Sequence, residues 1–527
     1  MSRLDLEAST QSAVPVRHAM ASRLELRPRT WLLLVVLLAS GIFVYLQVFV
    51  LPATPRAAIG DQSIYVHHAA RMLAGEMIYR DYDHFTLPGT DVFYMTLFKL
   101  FGVRAWIPQA MLIVLGTSMV YLITVISRKL MGGTSTYLPG LLFIALPFSG
   151  YLDATHHWYS TVASTAALAV LLKERSVGRL AWAGIIVGAA TFFTQSMALL
   201  PVGLALFLLW ERGRNGESRG LLLKKVLSLL VSFLATTATC LAYFVWKVGL
   251  KQLLYYTVVF VVKYYPADRF NTWRVYLRDG PHLGVWTDWI NLPAFALVHL
   301  IVPTLYILFP FLASHVFKSR TAPGGLWNRL MLVNLTGLFL FLTVASAPVY
   351  TRLYAVSGPA LVLLVWLLDS PRKLERTLLQ LLWATVFAMA VARPLVTQIR
   401  WKACLDLPTG RTAFFEPIIY EKTKWLAERT RPQDYFFGDQ LMCFALRLRN
   451  VGRVPFLRPT DYTRPEEVQD AVQALERFKV RFVSWYGGLD HRGNPQSDHL
   501  APIRLYLHEH YHIAHIFPNG DQIWERN

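Results

Sequence analysis

Asp61 follows Gly60 at the head of a stretch in which Ile64, Tyr65, His68, Met72 and Leu73 share one helical face. A carboxylate there has two readings. It can cap the helix by accepting from the first free backbone N–H groups. It can also act as a general base, taking the proton from an attacking hydroxyl once burial and neighbours tune its pKa. Further on, the run Tyr79-Arg80-Asp81-Tyr82-Asp83-His84 sets carboxylates at alternate positions, ahead of a Pro88-Gly89 turn and Asp91. Asp81 and Asp83 could ligate a divalent metal cation through hard oxygen atoms, hydrogen-bond sugar hydroxyls, or lie in a solvated loop.

Other ionisable groups interrupt apolar sequence. Asp153, His156 and His157 stand in Tyr151-Leu152-Asp153-Ala154-Thr155-His156-His157-Trp158, and adjacent histidines lack the i, i+4 spacing of two metal ligands on one helix face. Thr194-Gln195-Ser196 breaks a second apolar region, and Arg352 and Tyr354 lie in a third. An arginine there can grip a lipid phosphate with two parallel hydrogen bonds or snorkel to ordinary head groups. Lys263 and Arg269 sit in a segment rich in Tyr and Trp, a composition suited to a membrane surface.

The elements that carry these residues are membrane spans. Hydrophobic residues make up 54% of the 527, and charged residues only 16%, against roughly 25% in soluble domains. Mean hydropathy is +0.37. Apolar stretches at 31–51, 107–126, 134–152, 157–172, 180–194, 197–210, 226–247, 293–316, 327–346, 351–369 and 376–398 predict about eleven spans. Arg17, Arg23, Arg27 and Arg29 precede the first, and basic residues recur in every second connection: Arg128/Lys129, Lys173/Arg175/Arg179, Arg212/Arg214/Arg219/Lys224/Lys225, Lys318/Arg320/Arg329 and Arg372/Lys373/Arg376. The net charge of +19 is thus explained by orientation in a bilayer, with no need for nucleic acid. The 1–30 tail is then cytoplasmic, 31–399 is the multi-span part, and the outer segments are 52–105 and 250–292. Residues 93–101, apolar but too short to span, predict an interfacial helix. The more polar stretch 400–527, with helix-like 416–429 and 465–478 and strand-like 480–485 and 511–517, predicts a small outer α/β domain. Cys240, Cys404 and Cys443 have no metal-like spacing, and a Cys404–Cys443 disulfide stays open.

Asp61, Tyr65, Ala70-Arg71, Gly75, Tyr79-Arg80-Asp81, the following Pro88 and the run Leu97-Phe98-Lys99-Leu100-Phe101-Gly102 together resemble the GT-C glycosyltransferases. The likeness is greatest to bacterial relatives of aminoarabinose transferases and protein O-mannosyltransferases, over roughly 30–200. Arg352, Tyr354 and Pro359 resemble an outer Arg-x-Tyr with a later Pro in the same family. The resemblance implies an all-α polytopic membrane protein with a small C-terminal periplasmic domain. It implies Asp61 as the catalytic carboxylate and Asp153 as a shaper of the same cavity; the residues themselves add Arg80, Asp81, Asp83, His84, His156, His157, Lys263, Arg269, Arg352 and Tyr354 as substrate-binding candidates. It implies a polyprenyl-phosphate-linked sugar donor, an envelope lipid, glycan or protein acceptor, and the bacterial inner membrane with its lipids as setting. No organic cofactor is expected. A transporter or lipid-linked-sugar flippase is the alternative, although its usual mark, two related halves with broken helices at mid-membrane, is not apparent; a non-catalytic envelope-assembly protein is a third reading. Convergence of Asp61, Asp81 to His84 and Asp153 on one outward cavity discriminates among these.

Overall fold

The computed structural model describes residues 28–318, 325–369, 372–490 and 498–527; the cytoplasmic tail expected over 1–30 lies almost entirely outside them, as does Arg320. Eleven helical segments coincide with the eleven predicted apolar stretches: α1 (Pro28–Val48), α4 (Trp106–Ser127), α5 (Leu138–Phe143) with the wide turn Ile144–Phe148 that holds Pro147, α6 (His156–Lys173), α7 (Val177–Phe193), α8 (Leu200–Asn215), α9 (Arg219–Val248), α10 (Leu292–Lys318), α11 (Leu326–Val344), α12 (Gly358–Leu368) and α13 (Lys373–Ile399). By length and composition six are apolar enough to cross a membrane, among them α9 and α13, and four more segments are apolar but shorter. α6 is neither, because His156, His157, Ser160, Thr161, Ser164 and Thr165 line its buried face. On α9, Val231 and Leu234 are 61% exposed and Trp246 75% exposed. Such a face is stable against lipid rather than water.

Contacts between connections sort into two ends. At one end, Arg175 pairs with Glu211 at 2.5 Å, Asn328 bonds Glu211 at 3.3 Å, and Arg329 donates to the Lys129 carbonyl at 3.2 Å. These are the basic connections predicted for one side of the bilayer. At the other end, Gln62 reaches Asp153, Gln195 reaches Phe85, and Arg352 reaches Tyr265. Inside the bundle, Gly184 and Gly188 let α7 lie directly on α9: a Cβ at Gly184 would sit 2.2 Å from Ser232 Oγ and 2.4 Å from the Leu229 carbonyl. Small residues four apart allow this approach where no hydrophobic effect drives helices together.

Two helices between α1 and α4, in the segment expected to be outer, are not among those long and apolar enough to cross a membrane. α2 (Asp61–Leu73) packs against α3 (Gly89–Phe101), the predicted interfacial helix extended by four residues at its start. Beyond α13 lies a five-stranded mixed sheet, built from β1 (Tyr435–Phe437), β2 (Arg449–Asn450), β3 (Phe482–Trp485), β4 (Tyr511–Ile516) and β5 (Gln522–Arg526), in the order β2-β1-β3-β5-β4. β1 runs parallel to β2 and β3, whereas β5 is antiparallel to β3 and β4. Helices Pro417–Ala427, Gln440–Leu446, Pro465–Arg477 and Ala501–His510 complete this part. It docks on the first outer segment: Gln440–Leu446 packs against α2, and the Ala57 N–H donates to the Ala413 carbonyl at 2.8 Å. Cys404 and Cys443 are free thiols, so the disulfide left open by the sequence is not formed.

Candidate active site

Asp61 is the first residue of α2, and Gly60 before it adopts φ 67° and ψ −150°, a region reserved in practice for glycine. Asp61 therefore does not cap the helix with its own side chain. Asp153, from the turn between α5 and α6, takes that role, accepting from the Gln62 N–H at 2.9 Å. Gln62 answers by accepting from the Ala154 N–H at 3.0 Å. A Cβ at position 60 would come within 3.0 Å of Asp153 Oδ2. Glycine at 60 thus lets two carboxylates from separate loops meet at one helix N-terminus, where the helix dipole favours negative charge.

Asp153 is half-buried, whereas Asp61 is exposed at the mouths of two cavities. Burial pushes the Asp61 carboxyl above its ordinary range, while the Arg352 charge pulls it back. Burial pushes Asp153 well above that range, the Asp61 charge pushes it further, and its backbone hydrogen bonds oppose both. Two carboxyls so placed share a proton and titrate as a pair. Arg352 opposes the rise at Asp61 and the Asp61 charge adds to the rise at Asp153, so Asp153 is raised further than Asp61.

A cavity of about 350 Å³ opens from Asp61 toward the helical bundle, lined by Tyr65, His84, His156, His157, Gln195 and Arg352. Tyr65 Oη lies 2.5 Å from His156 Nδ1 and 3.2 Å from Thr86 Oγ1. Gln195 donates to the Phe85 carbonyl at 2.8 Å, and its Oε1 is buried with no partner. Arg352 donates to Tyr265 Oη at 2.6 Å and to the Ala347 carbonyl at 3.0 Å. Residues of the 250–292 segment close the wall: Val261, Tyr265, Asp268, Phe270 and Asn271. Arg458, from the C-terminal part, joins them and pairs with Asp268 at 3.1 Å. A second cavity of about 260 Å³ lies between Gly60, Asp61 and Ile64 on one side and Asp439, Gln440 and Tyr486 of the C-terminal part on the other. Asp61 borders both. A third, of about 760 Å³, runs along the far side of α2 among Arg71, Arg80, Arg447, Arg449, Arg453 and Arg477.

The residues singled out in the sequence part company. Asp61, His84, His156, His157 and Arg352 face one cavity, and Asp153 stands beside Asp61. Asp81 and Asp83 do not join them and do not face a common ion. Asp81 closes its own turn, accepting from the Met77 N–H at 2.7 Å and from Arg80 at 2.7 and 2.9 Å; Tyr79, at φ 68°, forces that turn. Asp83 is taken by Arg453 at 3.0 Å, by Tyr256 and, at 3.9 Å, by Arg464. Arg80 lies with Asp81 on the third cavity. Tyr354 is buried against Gly150, where a Cβ would meet its ring at 2.6 Å, so it packs rather than faces the cavity. Lys263 and Arg269 are exposed and lie over Tyr264 and Phe270, outside the cavity lining. Among the described residues, the only group of three or more His, Cys, Asp or Glu side chains close enough to hold a metal is His68, His84 and Asp91, with ligand atoms within 4.8 Å of one another.

Sequence reasoning missed Tyr65, Tyr265, Gln195 and Arg458 as parts of this wall. The polar break at Thr194-Gln195-Ser196 was a usable signal for Gln195. Nothing local marks Arg458, whose position depends on how the C-terminal part docks.

The sequence matches no family model and no curated protein. Solved structures do match. ArnT from Cupriavidus metallidurans bound to undecaprenyl phosphate is 14% identical and superimposes with a TM-score of 0.58, covering 94% of this chain and 97% of that one. The apo state of the same protein also scores 0.58. The Archaeoglobus fulgidus oligosaccharyltransferase tethered to an acceptor peptide is 11% identical with a TM-score of 0.51, covering 95% of this chain and 74% of that one. The chain shares the fold of these two proteins. It is mostly helical, with six helices long and apolar enough to cross a membrane among the described residues and a small C-terminal sheet, as the resemblance implied.

Proposed function

We propose that the protein transfers a sugar from a polyprenyl-phosphate carrier to an acceptor on the outer face of a bacterial inner membrane, with Asp61 as the catalytic base. One observation carries this reading: Asp61 forms part of the wall of two cavities, one facing the bundle and one facing the C-terminal part. The donor sugar enters the bundle-side cavity, whose volume of about 350 Å³ falls in the range of ligand sites. The acceptor approaches from the cavity under β1 and β3. The acceptor hydroxyl oxygen attacks the anomeric carbon, its proton passes to the Asp61 carboxylate, and the bond from that carbon to the phosphate oxygen breaks. The electron pair leaves with the lipid phosphate. Arg352 and Arg458, on the same wall, offset the charge that develops there. His156, held by Tyr65, and Gln195 are placed to bond sugar hydroxyls. The fold shared with an ArnT crystallised with undecaprenyl phosphate supports the donor class.

Under this reading 31–399 forms the catalytic body, 52–105 and 250–292 face the periplasm, and 400–527 presents the acceptor. The test is release of free polyprenyl phosphate by the protein in lipid nanodiscs, across a panel of polyprenyl-phosphate sugars with lipid, glycan and peptide acceptors. Acceptor-dependent release from at least one donor is expected. Asp61→Asn should lower it by about 10²- to 10⁴-fold, the usual contribution of a positioned base. Turnover that is unchanged in Asp61→Asn removes Asp61 from the role.

A further inference from the structure

His68 on α2, His84 in the following loop and Asp91 on α3 come from three consecutive elements and meet beneath the proposed active site. All three side chains are sealed from solvent, at 1%, 4% and 0% exposure. His68 Nδ1 lies 3.4 Å from Asp91 Oδ1, and His84 Nε2 lies 3.9 Å from Asp91 Oδ2. Neither Asp91 oxygen meets a donor from another residue in hydrogen-bonding geometry, and His68 Nδ1 and His84 Nδ1 are equally without partners. Buried polar atoms are nearly always satisfied, and one left alone costs about 1–3 kcal/mol. Four such atoms in one knot need an explanation.

We propose that His68, His84 and Asp91 bind a divalent transition-metal ion, Zn²⁺ by the chemistry of the donor set, that pins the 75–88 loop onto α2 and α3. Two imidazoles and a carboxylate suit zinc, with ligand bonds of about 2.0–2.2 Å; two such ligand atoms on a tetrahedral ion stand roughly 3.3 Å apart. The three ligand atoms lie within 4.8 Å of one another, so they must draw together by up to about 1.5 Å to reach that value. Arg71 opposes the ion from the next turn of α2, but its guanidinium is occupied by Glu76 at 2.6 Å and the Gly452 carbonyl at 2.8 Å.

The site also reaches the cavity. His84 Nε2 lies 2.5 Å from Thr86 Oγ1, Thr86 bonds Tyr65, and Tyr65 bonds His156. An ion taken by the unpartnered His84 Nδ1 would leave Nε2 to Thr86 and so fix the far wall of the bundle-side cavity through three side chains. These groups are distinct from Asp61 and Asp153, so the site stands or falls independently of sugar transfer.

The test uses the full-length protein in nanodiscs, stripped with a chelator and titrated with Co²⁺ as the spectroscopic probe and with Zn²⁺. About one Co²⁺ per chain is expected, with the strong visible bands of a low-symmetry four-coordinate site that Zn²⁺ displaces. His68→Gln and Asp91→Asn should each weaken binding by 100-fold or more, and Zn²⁺ should raise the thermal midpoint of the wild type but not of either variant. The stripped Asp91→Asn chain should be at least as stable as the stripped wild type, because it loses a buried carboxyl. Absence of Co²⁺ bands in the wild type overturns the proposal. So does a spectrum that survives in the His68→Gln, Asp91→Asn double variant, which would place the ion elsewhere.

Discussion

The reactive unit at the residue scale is a pair. Burial raises both Asp61 and Asp153, and Arg352 biases the charge toward Asp61. Turnover should therefore rise with pH through an apparent value above the ordinary carboxylate pKa of 3.8, as the pair loses its first proton. Arg352→Gln removes the pull on Asp61, so the acid limb of the kcat profile should move to higher pH. Asp153→Asn keeps a side-chain oxygen for the Gln62 N–H, and because the Asp61 charge acts on Asp153 while Asp61 itself answers to burial and Arg352, that limb should stay where it is. A limb that Arg352→Gln does not move would show that Arg352 does not set the charge on Asp61. The sign for stability is opposite to the usual carboxylate case. Folded-state values lie above the unfolded ones, so the pair's contribution is largest below 3.8 and declines as pH climbs through the raised values. Asp61 and Asp153 were both legible from residue type and position. Their proximity was not, because it depends on Gly60 and on the loop whose Asp153 the Gln62 N–H reaches across 91 positions.

Among the elements, the N-terminus of α2 positions the pair. Gly60→Ala demands a glycine-only backbone region and drives a methyl to 3.0 Å from Asp153 Oδ2. It should cost about 1–3 kcal/mol and depress kcat by more than its effect on unfolding, as read by a thermal midpoint alongside turnover. Gly184→Val puts branched atoms where even a Cβ finds Ser232 Oγ at 2.2 Å; α7 and α9 should separate, and the protein should leave detergent as aggregate on size exclusion. The spans were readable because hydrophobic length and the basic connections are local signals. The failures also have local causes. Alternating Asp81 and Asp83 look like a metal pair in sequence, yet Tyr79 at positive φ turns the chain so that each finds its own arginine. Conversely, His68, His84 and Asp91 have no motif spacing and meet only because α2 and α3 pack side by side.

Across the whole molecule, the C-terminal part closes the site from above. Asp83 is one tie among several: it joins the 52–105 segment to Arg453 and Arg464 of the C-terminal part and to Tyr256 of the 250–292 segment. Asp83→Asn should weaken docking by about 1–3 kcal/mol, the worth of hydrogen bonds to a charged group. Faster protease cleavage in the 400–411 connection, with acceptor KM raised more than donor KM, is the expected sign; unchanged cleavage would mean that the tie does not hold the two parts together. The presence of a small C-terminal sheet was readable from composition, whereas its docking and the contribution of Arg458 were not, since no sequence signal encodes a surface that exists only after folding.

The central claim is that Asp61 accepts the acceptor's proton between two cavities. The most direct measurement is single-turnover release of polyprenyl phosphate from donor already bound in the nanodisc, comparing wild type with Asp61→Asn at equal donor occupancy. The account predicts donor binding within a few-fold of wild type and a chemical step slowed by about 10²- to 10⁴-fold. Equal rates at equal occupancy would contradict it.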